Sequence, residues 1–263
     1  MALRLFLHAF QTIFRNWKEA FTISIIPLGL LVVVTLLFGT NFSGDVSQVG
    51  GAAALGLGAF VLFFAFVFTF AFIAASWHRF VLLEETPKFL GSPAIGRTLP
   101  YIGNSILLGL WLLLFLLPIM LVVGFIFAAV AGDSFNIRTA ALNTALTYDW
   151  KDILYEIITG AITGTIAFMY SLILPASAIN QSMTFRASRL AAMKLGVELF
   201  LLALLVATFN TLANYVVFII FGGATGILSS LISLAIQWLV LMVGISILTT
   251  LYGHLVEGRD LPA

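Results

Sequence analysis

Residues 102–130, IGNSILLGLWLLLFLLPIMLVVGFIFAAV, decide the fold of this chain, because these 29 consecutive positions contain no charged side chain. A helix needs about 20 mostly apolar residues to cross the hydrocarbon core of a bilayer. This stretch exceeds that minimum, so a helix formed by it can tilt or extend past the headgroups. It predicts a transmembrane helix.

Five other stretches have the same character. The six predicted spans are residues 20–38, 51–77, 102–130, 153–179, 195–221 and 227–252. Hydrophobic residues make up 62% of the 263 and charged residues 9%, against roughly 45–50% and about 25% in soluble domains. We therefore predict an all-α, polytopic protein that forms a single membrane domain over residues 1–263. Its six-helix bundle covers residues 20–254, and a tail covers residues 255–263.

The basic residues predict the orientation of the chain. Ten of the twelve Lys and Arg fall on one side of the six-span topology: Arg4, Arg15, Lys18, Arg79, Lys88, Arg97, Arg186, Arg189, Lys194 and Arg259. Because basic residues near short loops stay cytoplasmic, both termini are predicted to be cytoplasmic. The connections at 40–50, 131–152 and 222–225 then lie outside, with Arg138 and Lys151.

Residues 1–19 predict an amphipathic helix with a basic polar face. Its apolar positions recur at steps of three and four, at Leu3, Phe6, Leu7, Phe10, Ile13, Phe14 and Trp17. The first span follows directly, so we expect this helix to lie in the cytoplasmic headgroup plane. The alternative is a helix that packs on a protein partner.

Short basic segments also precede the third span, at residues 92–97, and the fifth, at residues 184–190. The chain can thus be divided into three units, each a short amphipathic segment followed by two spans. Repeats of this kind are common in membrane folds, although any six-span protein with cytoplasmic charges shares the pattern. The three two-helix pseudo-repeats are a hypothesis.

Three loose motifs carry a resemblance to a known group. Arg15-Asn16-Trp17 precedes the first span, residues 174–179 read LPASAI, and residues 185–189 read FRASR. In these features the chain resembles a broad group of bacterial six-helix integral membrane proteins, similar to the membrane domain attached to some glycerophosphodiester phosphodiesterases. The resemblance implies a six-helix fold in a bacterial inner (plasma) membrane. It implies no chemistry, since the motifs describe architecture and the phosphodiesterase catalytic domain is not expected within this sequence.

Composition and motifs exclude several function classes. The chain has no Cys, which excludes disulfides, thiolate metal sites and Cys nucleophiles. Its net charge of +1 provides no basic field for nucleic acid. No GxSxG elbow, HExxH motif or P-loop occurs in the sequence. We therefore expect no catalytic residues, no cofactor and no nucleic-acid partner.

All three histidines fall at the predicted cytoplasmic boundary: His8, and His78 and His254, which follow the second and sixth spans. His254 and Glu257 are three residues apart and share a face on a helix. With Glu84 or Glu85 they would form a His/carboxylate metal site. The alternative, which we prefer, is that His78 and His254 are interfacial anchors, like the aromatic rings beside them. We therefore predict no metal site.

Polar residues within the spans form the other candidate sites. Glu156 and Glu198 each lie about one turn into a span, where ionisable residues are costly and often functional. Both also lie near predicted helix N-termini, where negative charge is favoured. Asn210, Asn214 and Gln237 either form interhelical hydrogen bonds or line a substrate cavity.

Glycine and proline positions predict local helix geometry. Gly160 and Gly164 form a GxxxG step in the fourth span, which lets helix backbones approach closely. Pro27, Pro118 and Pro175 lie inside predicted spans, and each is expected to kink its helix.

These observations favour a non-enzymatic integral membrane protein that acts as an accessory or scaffold subunit of a membrane complex. Its predicted partners are the lipid bilayer and either another membrane protein or a second copy of the chain. The alternative is a transporter or lipid-handling protein with a polar cavity near Asn210, Asn214, Gln237 and Glu198. A polar cavity between helices would favour this alternative, whereas a flat apolar flank would favour the scaffold.

The orientation can be tested with reporter fusions. A reporter fused after Ala263 should be cytoplasmic, and one inserted at Ser47 should be exterior, because the basic residues follow the positive-inside rule. Paired phosphatase and fluorescent-protein activities measure both positions. The opposite result at both positions would reverse the predicted topology.

Overall fold

The architecture is entirely helical where it is described. A computed structural model describes residues 1–38, 52–88, 93–131, 150–221 and 227–260, and within these ranges the chain forms nine α-helices and no strand. The helices are α1 (Ala2–Arg15), α2 (Trp17–Phe38), α3 (Ala52–Leu83), α4 (Pro93–Ala131), α5 (Trp150–Tyr170), α6 (Ile173–Ala178), α7 (Phe185–Ala192), α8 (Val197–Phe221) and α9 (Ile227–Leu255). A single 3₁₀ turn, Met193–Leu195, connects α7 to α8.

Six of these helices are long and apolar enough to cross a membrane, namely α2, α3, α4, α5, α8 and α9. The predicted all-α polytopic fold with six transmembrane helices is confirmed. The predicted connections at 40–50 and 222–225 lie outside the described residues, as do Arg138 and the rest of residues 132–149.

The fourth predicted span, residues 153–179, is not one helix. α5 ends just before Ser171, and the short helix α6 follows after a turn. Pro175 explains the break, because it has no N–H to donate to the carbonyl of Ser171 four residues earlier. Pro27 and Pro118, by contrast, lie inside the continuous helices α2 and α4.

α1 forms as predicted but has three faces. Its buried face consists of Ala2, Leu5, Ala9 and Ile13. A second apolar face is exposed and consists of Leu3, Leu7 and Phe14. The third face is polar and exposed, with Arg4, Gln11 and Arg15. The buried face is held to its own chain, since Ser246 donates a hydrogen bond to the carbonyl of Ala9 at 3.1 Å. The membrane-surface position of the exposed faces stays a prediction.

The segments before the third and fifth spans differ from each other. α7 is a separate helix whose first turn is capped by the Thr184 hydroxyl, which accepts a hydrogen bond from the Ala187 N–H at 3.1 Å. α4 instead runs without a break from Pro93, so the segment before the third span is simply its first turns. The three-unit repeat stays a hypothesis.

The chain divides into two compact units. One consists of Met1–Thr12, Leu107–Ile173 and Met183–Ala263, and the other of Ile13–Ile106 and Leu174–Ser182. In the first unit α5 packs along α8, and α8 also packs on α9. In the second unit α2 packs on α3. The single membrane domain stays a prediction.

The contact between α5 and α8 is a close approach of two backbones. A methyl group placed at Gly160 would lie 2.8 Å from the Cβ of Ala207, and one at Gly164 would lie 3.3 Å from the Cβ of Ala203. The expected close approach at the GxxxG step is therefore confirmed. Its counterpart on α8 is an AxxxA step, which the sequence analysis did not single out.

Replacing Gly160 by Ala should destabilise the protein. The new methyl group would overlap Ala207, and overpacking of this kind typically costs about 1–3 kcal/mol. Gly109→Ala is a matched control, because an added Cβ there meets nothing within 4 Å. Thermal unfolding in detergent should show a lower midpoint for Gly160→Ala and no decrease for Gly109→Ala.

The double variant Gly160→Ala/Ala207→Gly makes this test specific to the contact. It removes the methyl group that the new one would strike, so its unfolding midpoint should return toward that of the wild type. A Gly160→Ala variant as stable as the wild type would contradict the close crossing.

Candidate functional site

A polar groove lies between α5 and α8. Its volume is about 390 Å³. Six polar side chains line it, three from each helix: Glu156, Thr159 and Thr163 from α5, and Asn210, Thr211 and Asn214 from α8. Its apolar wall includes Met120 of α4 and Ala207 of α8. A polar concavity thus lies between two predominantly apolar spanning helices.

Helical periodicity explains why these residues meet. Glu156, Thr159 and Thr163 are spaced by three and four residues, so they share one face of α5. Gly160 lies on the same stretch of α5 and contacts Ala207, three residues before Asn210. The small residues bring the backbones together, and the polar residues open beside that contact.

The threonine hydroxyls of α5 donate their protons to their own helix. Thr159 Oγ1 donates to the carbonyl of Tyr155 at 2.7 Å, and Thr163 Oγ1 donates to the carbonyl of Thr159 at 2.8 Å. The Thr211 side chain hydrogen-bonds to the Glu156 carboxylate. Because each hydroxyl has a single proton, all three oxygens retain lone pairs but no further proton to donate.

Three of the predicted polar residues form one network. Gln237 Nε2 of α9 donates to Asn214 Oδ1 at 2.7 Å. Asn214 Nδ2 in turn donates to the carbonyl of Asn210 at 3.0 Å. Asn214 therefore makes an interhelical hydrogen bond with Gln237 and also lines the groove with Asn210, whereas a substrate in that groove stays a prediction.

The groove reaches well into the predicted span. Asn210 lies 13 residues after Val197 and 11 before Phe221, which places it about 20 Å and about 16 Å from the ends of α8 at 1.5 Å per residue. Glu156 is the seventh residue of α5, which begins at Trp150. A helix N-terminus favours negative charge only within about the first turn, and Glu156 lies beyond that turn. The expected stabilisation of Glu156 by its helix N-terminus was wrong.

Glu198 does not belong to this cavity, although the sequence analysis grouped it with Asn210. It lies in the first turn of α8 and accepts a hydrogen bond from the backbone N–H of Ala2 at 2.6 Å. The amino group of Met1 lies 3.3 Å from the same carboxylate. Glu198 thus holds the first turn of α1, whose N–H groups have no partner within that helix.

The two histidines have different surroundings. His78 is fully buried and lies 3.3 Å from the hydroxyl of Tyr101, and its role as an interfacial anchor stays a prediction. His254 Nδ1 lies 3.0 Å from the carbonyl oxygen of Arg259. Glu257 pairs with the side chain of that same Arg259 at 2.6 Å. No group of three His, Asp or Glu suited to a metal occurs within the described ranges.

A buried arginine beside His78 is the feature that sequence reasoning missed. Arg79 donates from Nε to Glu85 Oε2 at 2.8 Å, forms an ion pair with the same carboxylate, and donates from a terminal nitrogen to the carbonyl of Ala178 at 2.8 Å. Asn104 donates to the hydroxyl of Ser177 at 2.9 Å. Since Ala178 ends α6, Arg79 supplies a donor to a carbonyl that the helix leaves unpaired.

Comparisons of this chain with protein-family models, with curated proteins and with solved structures found no match. The resemblance to phosphodiesterase membrane domains therefore stays a proposal that the quoted motifs alone support. In the second unit, two residues of those motifs, Ser177 and Ala178, take part in the contacts around Arg79 and Asn104. This placement gives them a structural role.

Glu85→Gln should lower stability, because it leaves the largely buried Arg79 guanidinium without a charged partner. We expect a loss of about 1–2 kcal/mol, near the low end for hydrogen bonds to charged groups, because the Glu85 side chain is 32% exposed. Glu84→Gln is the control, since it is the same change at the exposed neighbouring residue. Thermal unfolding of both variants measures the difference. Equal midpoints would show that the ion pair contributes no stability.

Proposed function

We propose that this integral membrane protein binds a small polar or amphipathic ligand in the groove between α5 and α8, as a transporter or lipid-handling protein would. The observation that carries the proposal is a cavity of about 390 Å³ between two spanning helices, lined by six of their polar side chains. Ligand pockets commonly measure about 300–1,000 Å³. The cavity therefore has the size and the mixed lining of a ligand site.

The cost of burying polar groups in a membrane supports this function. A polar group without a hydrogen-bond partner in an apolar medium costs about 2–7 kcal/mol. Packing alone would be served by apolar side chains, or by polar ones that pair across the helices as Asn214 and Gln237 do. Glu156 takes one hydrogen bond from Thr211 across the helices and, like Asn210, also lines open space. Water or a ligand in the groove would supply the partners that lipid cannot.

The cellular setting remains part of the proposal. Six spanning helices imply contact with the lipid bilayer. The distribution of Lys and Arg supports cytoplasmic termini, and the resemblance supports a bacterial inner membrane. We further propose a non-enzymatic role, for which the lack of catalytic motifs in the sequence is the support.

An accessory or scaffold role is the second candidate, and α4 is the observation that favours it. In the most apolar stretch of α4, only 6% of the residues are buried within the chain, against 39% in the corresponding stretch of α3. Another membrane protein or a second copy of the chain would find a long apolar surface there. Purification from native membranes in mild detergent tests this role through a protein that co-purifies in a fixed ratio.

Cysteine labelling tests whether the groove is wet. The chain contains no Cys, so each introduced thiol is unique. Asn210→Cys in nanodiscs should react with a membrane-impermeant maleimide roughly ten times faster than Leu212→Cys, because the reactive thiolate forms only where water reaches it. Leu212 is a matched control, two residues further along α8 and 49% exposed on an apolar surface.

The comparison separates water from lipid. Asn210 and Leu212 are both exposed on the protein surface, so without a surrounding bilayer the two thiols would be labelled at similar rates. Equally slow labelling at both would mean that lipid or packing closes the groove, and the proposed function would then be rejected.

A further inference from the structure

The charge of the groove has one sign. Glu156 is its charged lining residue, and no Lys or Arg occurs among the described residues that line it. Asp152 lies four residues earlier on α5, on the same side of the helix, and is also acidic. A ligand that enters this groove therefore meets negative charge.

The strongest hydrogen-bonding group of the groove is an acceptor, the Glu156 carboxylate. Thr159 and Thr163 have already donated their protons to carbonyls of α5, and Thr211 is bonded to the Glu156 carboxylate. A carboxylate has two acceptor oxygens with about four lone-pair sites, so Glu156 can accept more than the one bond from Thr211. The amides of Asn210 and Asn214 also carry N–H donors, but the charged group of the lining, the Glu156 carboxylate, is an acceptor, so its natural complement is a cationic donor.

From this we infer that the groove binds the primary ammonium group of an amphipathic molecule, with Glu156 as the counter-ion. The inference rests on the proposed function, namely that the groove binds a ligand at all. An ammonium group carries three donors and no acceptor, and charge-assisted hydrogen bonds to a carboxylate are the strong ones. Met120 and Ala207 provide an apolar wall for the rest of the molecule.

The size of the groove favours an organic cation over a bare metal ion. A water molecule occupies about 30 Å³ of liquid, so a space of about 390 Å³ is far larger than a dehydrated ion fills. Tyr155 also lines the groove, and aromatic rings attract organic ammonium ions. A soluble alkylamine and the headgroup of an aminophospholipid share this chemistry.

The test uses Asn210→Cys protein in nanodiscs and measures how butylammonium, butanol and butyrate slow maleimide labelling. The three probes have the same carbon chain and differ in charge. Butylammonium should protect the thiol at a concentration at least about ten times lower than butanol does, because one charge-assisted contact is worth about that factor. Butyrate should not protect.

Two substitutions assign the effect to Glu156. Glu156→Gln keeps the shape of the side chain but removes the charge, and should raise the protecting concentration of butylammonium about tenfold. Glu84→Gln, which removes the charge of an exposed residue outside the lining, should leave it almost unchanged. If Glu156→Gln does not fold, Glu156→Asp should still favour butylammonium over butanol, and the three probes on unchanged Glu156 decide by themselves.

The outcomes separate this inference from the proposed function. If Asn210→Cys is labelled, and butanol or butyrate protects it as well as butylammonium does, the ammonium inference is overturned. The proposal that the groove binds a ligand would then still stand. Equal protection by sodium chloride would assign the groove to a metal ion and also overturn it. Absence of labelling at Asn210→Cys would reject both the groove function and the ammonium inference.

A lipid arm identifies the source of the ammonium group. Native mass spectrometry of protein released from nanodiscs with equal phosphatidylethanolamine and phosphatidylglycerol, with identical acyl chains, shows which lipid stays bound. Retained phosphatidylethanolamine that is lost in Glu156→Gln supports a lipid headgroup. Protection by butylammonium without retained lipid supports a soluble amine.

Discussion

The close crossing of α5 and α8 is the constraint on which the candidate site depends. Between helices in lipid there is no hydrophobic driving force, so association relies on packing, hydrogen bonds and lipid entropy. Gly160 and Gly164 meet Ala207 and Ala203 with only the alanine methyl groups between the backbones. That contact fixes the relative register of the two helices. Because the register is fixed, the polar residues of both helices just beside the contact face the same space. The groove is therefore a consequence of the crossing.

Helix ends impose a second constraint, and charged side chains satisfy it in each unit. The first N–H groups and the last carbonyls of a helix have no partner within that helix. In the first unit Glu198 accepts a hydrogen bond from the N–H of Ala2. In the second unit Arg79 donates to the carbonyl of Ala178 while Glu85 balances its charge. In both units these charges therefore satisfy backbone groups at helix ends.

The sequence predicted what length and hydropathy determine, and missed what depends on helix pairing. Six apolar runs determine six spans, because only helices of that length can cross a bilayer with their backbone groups paired. The GxxxG step predicted a close approach but could not name its partner, since Ala203 and Ala207 do not stand out in an alanine-rich chain. The sequence correctly predicted that Asn210, Asn214 and Gln237 lie together. It grouped Glu198 with them, whereas the glutamate that lies beside them is Glu156.

That exchange of glutamates has a physical explanation in the positions of two helix starts. From the sequence, Glu156 and Glu198 look equivalent, each about one turn into a span. α8 begins at Val197, so Glu198 lies in the first turn, near free N–H groups. α5 begins at Trp150, so its unpaired N–H groups and the positive end of its dipole lie near Asp152, and Glu156 is too far along the helix to contact them. Glu198 is therefore stabilised by helix ends, its own and that of α1, whereas Glu156 is bonded by the Thr211 side chain and lines the groove. Of the two carboxylates, the one that lines the groove is therefore the one that no helix end supports.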